Sequence, residues 1–214
     1  MFGRIARRYD LMNTLMTLGQ DRAWRRAVAE QLPLTARRVL DAGTGTGKLA
    51  AAVAARLPQA KVVGVDFAVP MLRWGRVPLA LAADALVLPF PARTFDAVVS
   101  AFVVRNLANV RQGLAEQVRV LRPGGRLVVL EITPGPSGPH RVLFRLYFRG
   151  LVPLLGGLIA GDAAAYTYLP ESAAAFLEPE RLCEVLRDLG LVDLQTRRLA
   201  VGSVAVVAGS RPND

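Results

Sequence analysis

The sequence is poor in the residues that form disulfides and metal sites. Its 214 residues include one cysteine, Cys183, and one histidine, His140. A single cysteine cannot close an internal disulfide, and one histidine cannot supply a metal ligand set, so we expect no metal site and a reducing cytoplasmic location. No apolar run reaches the ~20 residues that span a bilayer. The charged N-terminus, with arginines at positions 4, 7 and 8, is not typical of a signal peptide.

The composition is that of a packed protein, with 52% hydrophobic and 21% charged residues. The length predicts a single domain. The formal net charge is +10 and the mean hydropathy is +0.32, an unusual pair of values for a basic protein. The pairing indicates either an apolar partner beside an anionic surface or a general preference for Ala and Arg, since Lys48 and Lys61 are the only lysines.

Short apolar runs alternate with helical patterns after residue 37, which predicts a parallel sheet with crossover helices. Near the C-terminus, two more strands are separated by a few residues around Gly202, too few for a crossover, so they form an antiparallel hairpin. A mainly parallel α/β sheet that ends in such a hairpin resembles the seven-stranded, Rossmann-like sheet of class I methyltransferases. The predicted strands are Val39–Asp41, Val62–Asp66, Leu79–Asp84, Ala97–Ala101, Leu127–Ile132, Leu191–Leu199 and Ser203–Ala208. The first five are nearly continuous in apolar residues, which indicates burial on both faces.

The N-terminal region has a helical period up to Pro33, which predicts a helical cap over the sheet. The single domain therefore divides into four parts. They are the cap (residues 1–33), a cofactor-binding core (38–132), a substrate-side insertion (134–178) and a C-terminal helix with the hairpin (179–210). The apolar positions of the cap pattern are Tyr9, Met12, Leu15, Met16, Trp24, Val28 and Leu32.

The most informative stretch is the glycine-rich turn of residues 41–47, between the first strand and the helical stretch that follows it. A phosphate-binding loop would need glycine at Ala42 and a hydroxyl at Leu49, and a dinucleotide fingerprint would need glycine at Lys48. Neither fits. The pattern Asp41-x-Gly43-x-Gly45-x-Gly47 resembles the S-adenosylmethionine (SAM) loop of class I methyltransferases.

Carboxylates follow the next two predicted strands. Asp66 ends the second strand, about 20 residues after the loop, where a carboxylate can accept both hydroxyls of a ribose. Asp84 ends the third predicted strand, where it can meet an adenine edge, and Ala85 leaves room for the ring. Together with the loop, these positions favour SAM over a structural turn.

Further stretches resemble the quinone-biosynthesis C-methyltransferases, which methylate demethylmenaquinol and the corresponding ubiquinone precursor. The resemblance covers essentially the whole chain, and its most specific parts are Tyr9-Asp10-Leu11-Met12-Asn13 and Arg105-Asn106 after the fourth strand. The other matching stretches are residues 2–8, 88–91, 94–96, 102–104, 119–131, Asp162 and 166–169. Three positions depart from the family's pattern: Lys48 replaces an acidic residue, Ala101 a serine, and Asp21 a histidine.

The resemblance implies SAM-dependent C-methylation of a prenylated quinol in menaquinone or ubiquinone biosynthesis. It implies that Thr46, Asp66, Asp84 and Ala85 contact the cofactor and that Gly43, Gly45 and Gly47 shape the loop. Asp41, which opens the loop pattern, completes the predicted cofactor-binding set. Arg105 and Asn106 follow the fourth strand where doubly wound sheets open to ligand, so we expect them to stabilise the phenolate of the acceptor. A surface salt bridge for Arg105 and a helix cap for Asn106 are the alternatives. Tyr9 and Asn13 would lie over the substrate pocket, with Tyr166 and Tyr168 on the opposite side.

The segment of residues 141–160 combines an arginine stripe at positions 141, 145 and 149 with broad apolar surface. It predicts either peripheral contact with an anionic membrane on the cytoplasmic face and a tunnel for an isoprenoid tail, or a core insertion or homodimer interface. Two other functions stay open. One is methylation of another small molecule, and the other is nucleic-acid binding, which the lack of aromatic residues interleaved with arginines disfavours.

Overall fold

Seven strands form one mixed sheet in the computed structural model, which describes residues 10–75, 77–133 and 176–213. The strands are β1 (Arg38–Ala42), β2 (Lys61–Asp66), β3 (Leu79–Ala82), β4 (Phe95–Ala101), β5 (Leu121–Ile132), β6 (Val192–Leu199) and β7 (Val204–Ser210). The helices are α1 (Asp21–Glu30), α2 (Lys48–Arg56), α3 (Val69–Trp74), α4 (Val110–Val120) and α5 (Pro179–Asp188). Two short 3-10 turns cover Val104–Asn106 and Ala200–Gly202.

The strand order is β3-β2-β1-β4-β5-β7-β6. The first five strands pair in parallel, while β7 runs antiparallel to both β5 and β6. The predicted seven-stranded, mainly parallel sheet with an antiparallel C-terminal hairpin is therefore confirmed. The order also reverses direction between β1 and β4, which places the carboxyl ends of those strands beside a crevice.

Two apolar layers cover the central strands, one on each face. On β4, Ala97 and Val99 pack in the layer that contains α1 and α2, while Val98 packs in the layer that contains α4 and α5. Alternate residues of one strand therefore enter opposite layers, as the predicted burial on both faces requires. Each fully buried valine or leucine stabilises the fold by about 1.5–3 kcal/mol relative to an exposed one.

The edge strand β3 departs from this pattern. Leu79 and Leu81 are exposed, so the prediction of burial on both faces is wrong for this strand. The neighbouring helix α3 has six residues, which are too few to cover it. The predicted end at Asp84 is also wrong, because Ala82 is the last residue paired with β2 and Asp84 accepts a turn hydrogen bond from the amide of Leu86 at 2.9 Å.

The predicted N-terminal helix is divided in two. Residues 10–16 are helical, and a turn containing Leu18 and Gly19, both with positive φ, precedes α1. Met12, Met16 and Trp24 are buried as predicted, whereas Leu15 is 40% exposed because the segment contacts the core through a narrow stripe. Among the helices that the structure describes, none is long and apolar enough to cross a lipid bilayer.

Candidate functional site

A cavity of about 350 Å³ lies at the carboxyl edge of the parallel strands. Its described walls come from the turn after β1, the ends of β2 and β4, the loop after β3 and helix α1. Asp10, the first described residue of the N-terminal segment (residues 10–20), also contributes. This is the crevice where doubly wound sheets bind ligands. The lining includes Asp10, Arg25, Gly43, Thr44, Gly45, Thr46, Lys48, Asp66, Phe67, Met71, Asp84, Ala85, Phe102, Val103, Asn106 and Leu107.

The glycine loop, residues 43–47, needs glycine for two separate reasons. All three of its glycines have positive φ, between 56° and 85°, a region that other residues enter at a cost. A Cβ on Gly43 would lie 2.2 Å from a Val103 methyl, and one on Gly47 would lie 2.3 Å from a Val77 methyl. A Cβ on Gly45 would instead face Met71 and Asp66 at 3.6 and 4.0 Å, both in the cavity wall. The backbone of Gly45 is therefore open to a ligand.

Asp66 holds the glycine loop to the end of β2. Its Oδ2 accepts a hydrogen bond from the amide of Gly45 at 2.8 Å, and its Oδ1 accepts one from the amide of Ala68 at 2.7 Å. Burial raises the pKa of this carboxyl, although the two amide hydrogen bonds oppose the shift. Each oxygen retains a second lone pair, so the carboxylate can accept two hydroxyl groups from the cavity.

Asp41 lies beneath the glycine loop and is not among the described residues that line the cavity. It is fully buried, and its Oδ2 accepts a hydrogen bond from the Thr44 hydroxyl at 2.7 Å. Its Oδ1 has no hydrogen-bond partner among the described residues. Burial raises the pKa of Asp41 to about 7, against the lowering effects of the Thr44 hydrogen bond and the Arg25 charge.

The loop after β3 supplies Asp84 and Ala85 to the cavity, as the sequence predicted. Ala85 is buried and Asp84 is exposed. Thr46 also lines the cavity, but its hydroxyl donates to Oδ1 of Asp10 at 2.8 Å, so it ties the loop to the N-terminal segment. Gly47 and Asn13 are not in the described lining. Tyr9, Tyr166 and Tyr168, and the segment 141–160, lie outside the described residues.

Arg105 and Asn106, which the sequence predicts as a functional pair after β4, lie on different sides of the cavity wall. Asn106 lines the cavity, whereas Arg105 lies behind it in an ion pair with Glu131, their side chains being 5% and 1% exposed. Glu131 also accepts from the backbone amide of Arg105 at 3.2 Å. The alternative of a surface salt bridge is thus wrong, because the ion pair is buried. The role of Arg105 toward the phenolate stays a prediction, and from this position it would be indirect.

Asn106 is the last residue of the 3-10 turn and caps no helix, so that alternative is also wrong. Its Nδ2 donates to the carbonyl of Phe102 at 3.1 Å. Its Oδ1 is buried and has no hydrogen-bond partner among the described residues. A buried acceptor that lacks a donor is costly unless a ligand supplies one, so this amide fits a ligand hydroxyl.

Two residues of the site carry no prediction from the sequence. Arg25 of α1 lines the cavity, and its guanidinium carbon lies 5.7 Å from the centre of the Phe102 ring. Arg105 lies 5.9 Å from the same ring, and Trp24 contacts its edge. Phe102 has a φ of 61°, which is strained for an aromatic residue. The four-residue spacing of Asp21 and Arg25 among apolar helix positions is a feature of the sequence that could indicate a buried arginine. Nothing in the sequence indicates the positive φ of Phe102.

Comparisons with known proteins agree with this geometry. A demethylmenaquinone methyltransferase from Deinococcus radiodurans is 48% identical over 99% of this chain and 91% of that protein. One from Thermus thermophilus is 47% identical over 99% of this chain and 100% of that protein. The crystal structure of a SAM-dependent methyltransferase from Thermotoga maritima shares the fold with a TM-score of 0.68 at 19% identity, over 99% of this chain and 100% of that one. A family model described as the ubiE/COQ5 methyltransferase family matches residues 1–211. The chain belongs to the ubiE/COQ5 methyltransferase family.

Proposed function

We propose that this protein is a SAM-dependent C-methyltransferase that methylates a prenylated quinol, with demethylmenaquinol as its acceptor in menaquinone biosynthesis. The family match over residues 1–211 and the near-full-length relatives with that activity in their names support the reaction class and the acceptor. The observation that carries the proposal is the Asp66 carboxylate, which is bonded to the open glycine of the loop and faces the same cavity as Asp84. Carboxylates at both positions suit hydroxyl and amine donors and repel phosphate.

The residues present fit SAM, because the cavity side of Gly45 is open where a side chain would intrude. When bound, SAM supplies an electrophilic methyl group on its sulfonium. Asp66 would accept the ribose hydroxyls, Asp84 would meet the adenine edge, and the buried Ala85 would lie against the ring. The glycine loop would hold the methionine end, with Asp41 fixing the loop from beneath through Thr44 and Thr46 fixing it to the N-terminal segment.

The acceptor side of the cavity is the turn after β4. A ring carbon becomes nucleophilic when a neighbouring hydroxyl gives up its proton, so the protein must orient that hydroxyl and stabilise the resulting phenolate. We assign the contact to Asn106, whose Oδ1 would accept a hydrogen bond from the hydroxyl and orient it. The proton would then leave to water, and the second hydrogen of Nδ2, which is not used by the Phe102 carbonyl, could donate to the phenolate. Arg105 would act from behind the wall as a positioning residue, because its ion pair with Glu131 and the bond from its backbone amide to the same carboxylate fix the turn that carries Asn106.

The acceptor is tested by combining genetics with a purified assay. A strain that lacks the gene should accumulate demethylmenaquinone, measured by mass spectrometry of extracted quinones. The purified protein should transfer a labelled methyl group from SAM to demethylmenaquinol. Accumulation of a demethylated ubiquinone precursor would move the acceptor to ubiquinone biosynthesis. A normal quinone profile, together with methylation of soluble phenols only, would refute the prenylated acceptor.

We also propose that the protein binds peripherally to the cytoplasmic face of an anionic membrane, because a prenylated substrate resides in the membrane. The support is the net charge of +10 and the apolar side chains beside the cavity. Phe67 lines the cavity and is 81% exposed, and Leu11 and Leu18 are exposed on the N-terminal segment. Sedimentation with vesicles should show binding that increases with the fraction of anionic lipid, whereas equal binding to neutral vesicles would refute an electrostatic contribution.

Two further expectations about partners remain predictions of the sequence, namely a homodimer and the absence of nucleic-acid binding. Sedimentation velocity tests the first. Titration with labelled RNA at several salt concentrations tests the second, since tight and steeply salt-dependent binding would contradict it.

A further inference from the structure

Two basic side chains line the described part of the cavity, Arg25 from α1 and Lys48 from the start of α2. The other charged residues of the described lining are the acids Asp10, Asp66 and Asp84. Asp66 ends β2 and Asp84 follows β3, whereas Lys48 begins the helix after the glycine loop and Arg25 belongs to α1, which packs against that helix. The cavity therefore has an acidic end and an end where cations are placed.

Lys48 is already engaged with the N-terminal segment. Its Nζ lies 3.5 Å from the Asp10 carboxylate, 3.2 Å from the Asp10 carbonyl and 3.8 Å from the Asp21 carboxylate. It is also 3.5 Å from the Thr14 hydroxyl. Because an ammonium has three donors, these neighbours can occupy all of them.

Arg25 differs from Lys48 in how its donors are used. Within the part of the chain that the structure describes, both of its hydrogen bonds come from Nη1, one to the Asp21 carbonyl at 3.0 Å and one to the Asp21 carboxylate. Asp21 is 1% exposed, and the Phe102 ring packs against the guanidinium. One edge of the fork is thus fixed, and Nε and Nη2 are available to an anion in the cavity.

We propose that Arg25 binds the α-carboxylate of the methyl donor, and that Asp21 is the residue that positions it. The inference rests on the proposed function, since it names the contact for the methionine end of SAM. That end carries the only carboxylate of the donor, and a guanidinium held in the wall matches a carboxylate with two parallel donors. Lys48 directly follows the glycine loop, and its Nζ lies 3.8 Å from the Asp21 carboxylate that pairs with Arg25, so the guanidinium lies near the loop that would hold the methionine end.

The two sequence departures at positions 21 and 48 meet at this place. Asp21 stands where the family pattern has a histidine, and Lys48 where it has an acidic residue, and their charged groups are 3.8 Å apart. Asp21 therefore pairs with Arg25 on its own helix and also faces Lys48.

Isothermal titration calorimetry with two donors separates this contact from the rest of the site. SAM and decarboxylated SAM both carry the nucleoside, the sulfonium and the ammonium, and differ by the carboxylate. The wild-type protein should bind SAM about 10- to 100-fold more tightly than decarboxylated SAM, the range expected for hydrogen bonds between charged groups. The Arg25→Gln variant should lose this preference by weakening SAM binding alone.

Arg26→Gln is the matched control, because Arg26 is exposed on the same helix and is not in the described lining. It should retain the wild-type preference. Arg25→Lys keeps the charge and loses the fork, so it should retain only part of the preference. This variant decides the matter if Arg25→Gln does not fold.

Three results would overturn the proposal: a wild-type protein that binds both donors equally, an Arg25→Gln variant that loses affinity for both by the same factor, or an Arg25→Lys variant with the full wild-type preference. A wild-type protein that binds neither donor would refute the proposed function itself.

Discussion

The two ends of the cavity are built by different physical means. At the acidic end, Asp66 is held by backbone amides of the loop and of α3, and the loop takes its shape from glycine dihedrals. At the other end, and along the turn after β4, the chain relies on side-chain pairs: Arg25 with Asp21 and Arg105 with Glu131. Asp66 is held mainly by backbone amides, whereas Arg25 and Arg105 are held by charged side chains, in one case four residues away on the same helix and in the other 26 residues away on β5.

The difference predicts how each end responds to change. Backbone geometry tolerates salt and moderate pH, but it fails when a side chain is added to a strained glycine. Buried charge pairs tolerate small changes of shape but not the removal of one partner, since the other charge is left without compensation. The largest losses of stability should therefore come from the charge-paired parts, and the largest selective losses of binding from the backbone-held carboxylate.

Removal of Glu131 should have the largest effect on stability. Glu131→Ala leaves the Arg105 guanidinium buried without its partner, so the free energy of unfolding should fall by about 3–5 kcal/mol in urea titrations. Glu184→Gln is the control, since its ion pair with Arg181 is exposed on both sides, and it should leave the unfolding midpoint unchanged. A loss from Glu131→Ala as small as that of the control would mean that the Arg105 charge is compensated elsewhere.

The stability should also depend on pH through Asp41. The carboxyl has a pKa of about 3.8 when it is unfolded and exposed to water, but burial raises its pKa to about 7 in the fold. Between these values the folded state binds the extra proton, so the free energy of unfolding decreases as the pH rises from about 4 to 7 and then levels off. The limiting slope is about 1.4 kcal/mol per pH unit for one proton. Asp41→Asn should reduce this slope.

Asp96 is the control for this experiment, because its pKa is lowered in the fold and its effect on the pH dependence of stability is opposite to that of Asp41. Partial burial raises its pKa, but the amides of Arg37 and Arg38 and the charge of Arg122 outweigh burial and lower it. Its contribution is therefore present above the unfolded pKa and lost as the pH falls through the folded one. Asp96→Asn should alter stability above pH 4 by a constant amount, without removing the decline between pH 4 and 7. An unchanged decline in Asp41→Asn would show that another group carries it.

Alanine substitutions at two glycines with the same φ distinguish the cost of a strained backbone dihedral from the cost of a close side-chain contact. Gly19 and Gly43 both have a φ of 76°, but a Cβ on Gly19 meets none of the described residues within 4 Å, whereas one on Gly43 meets Val103 at 2.2 Å. Gly19→Ala should cost about 1 kcal/mol from the dihedral alone. Gly43→Ala should cost a further 1–3 kcal/mol from overpacking and should weaken SAM binding. Equal unfolding free energies for the two variants would show that Val103 moves aside without cost.

The sequence predicts the backbone-held part of the site better than the charge-paired part. The glycine spacing and Asp66 are visible because both follow strands whose apolar runs are unambiguous, and strand ends converge at one edge. The burial of Arg105 is not visible, because Glu131 lies 26 positions away on β5 and only the pairing of β4 with β5 brings them together. Arg25 is hidden for a similar reason, since the turn at Gly19 sets which face of α1 meets the cavity.

The smallest effects should come from the carboxylates of the acidic end, and they should appear mainly in binding. Asp66→Asn keeps an acceptor for only one of the two backbone amides that Asp66 accepts and turns an NH2 donor toward the other, so the free energy of unfolding should fall by about 1 kcal/mol and SAM binding should weaken by about 10- to 100-fold. Asp84→Asn should weaken binding only a few-fold, because Asp84 is exposed and one oxygen is engaged with the Leu86 amide. Calorimetry measures both. Because neither residue faces the methionine end, both variants should keep the wild-type preference for SAM over decarboxylated SAM. A lost preference in Asp66→Asn would mean that the two ends of the cavity are coupled through the glycine loop.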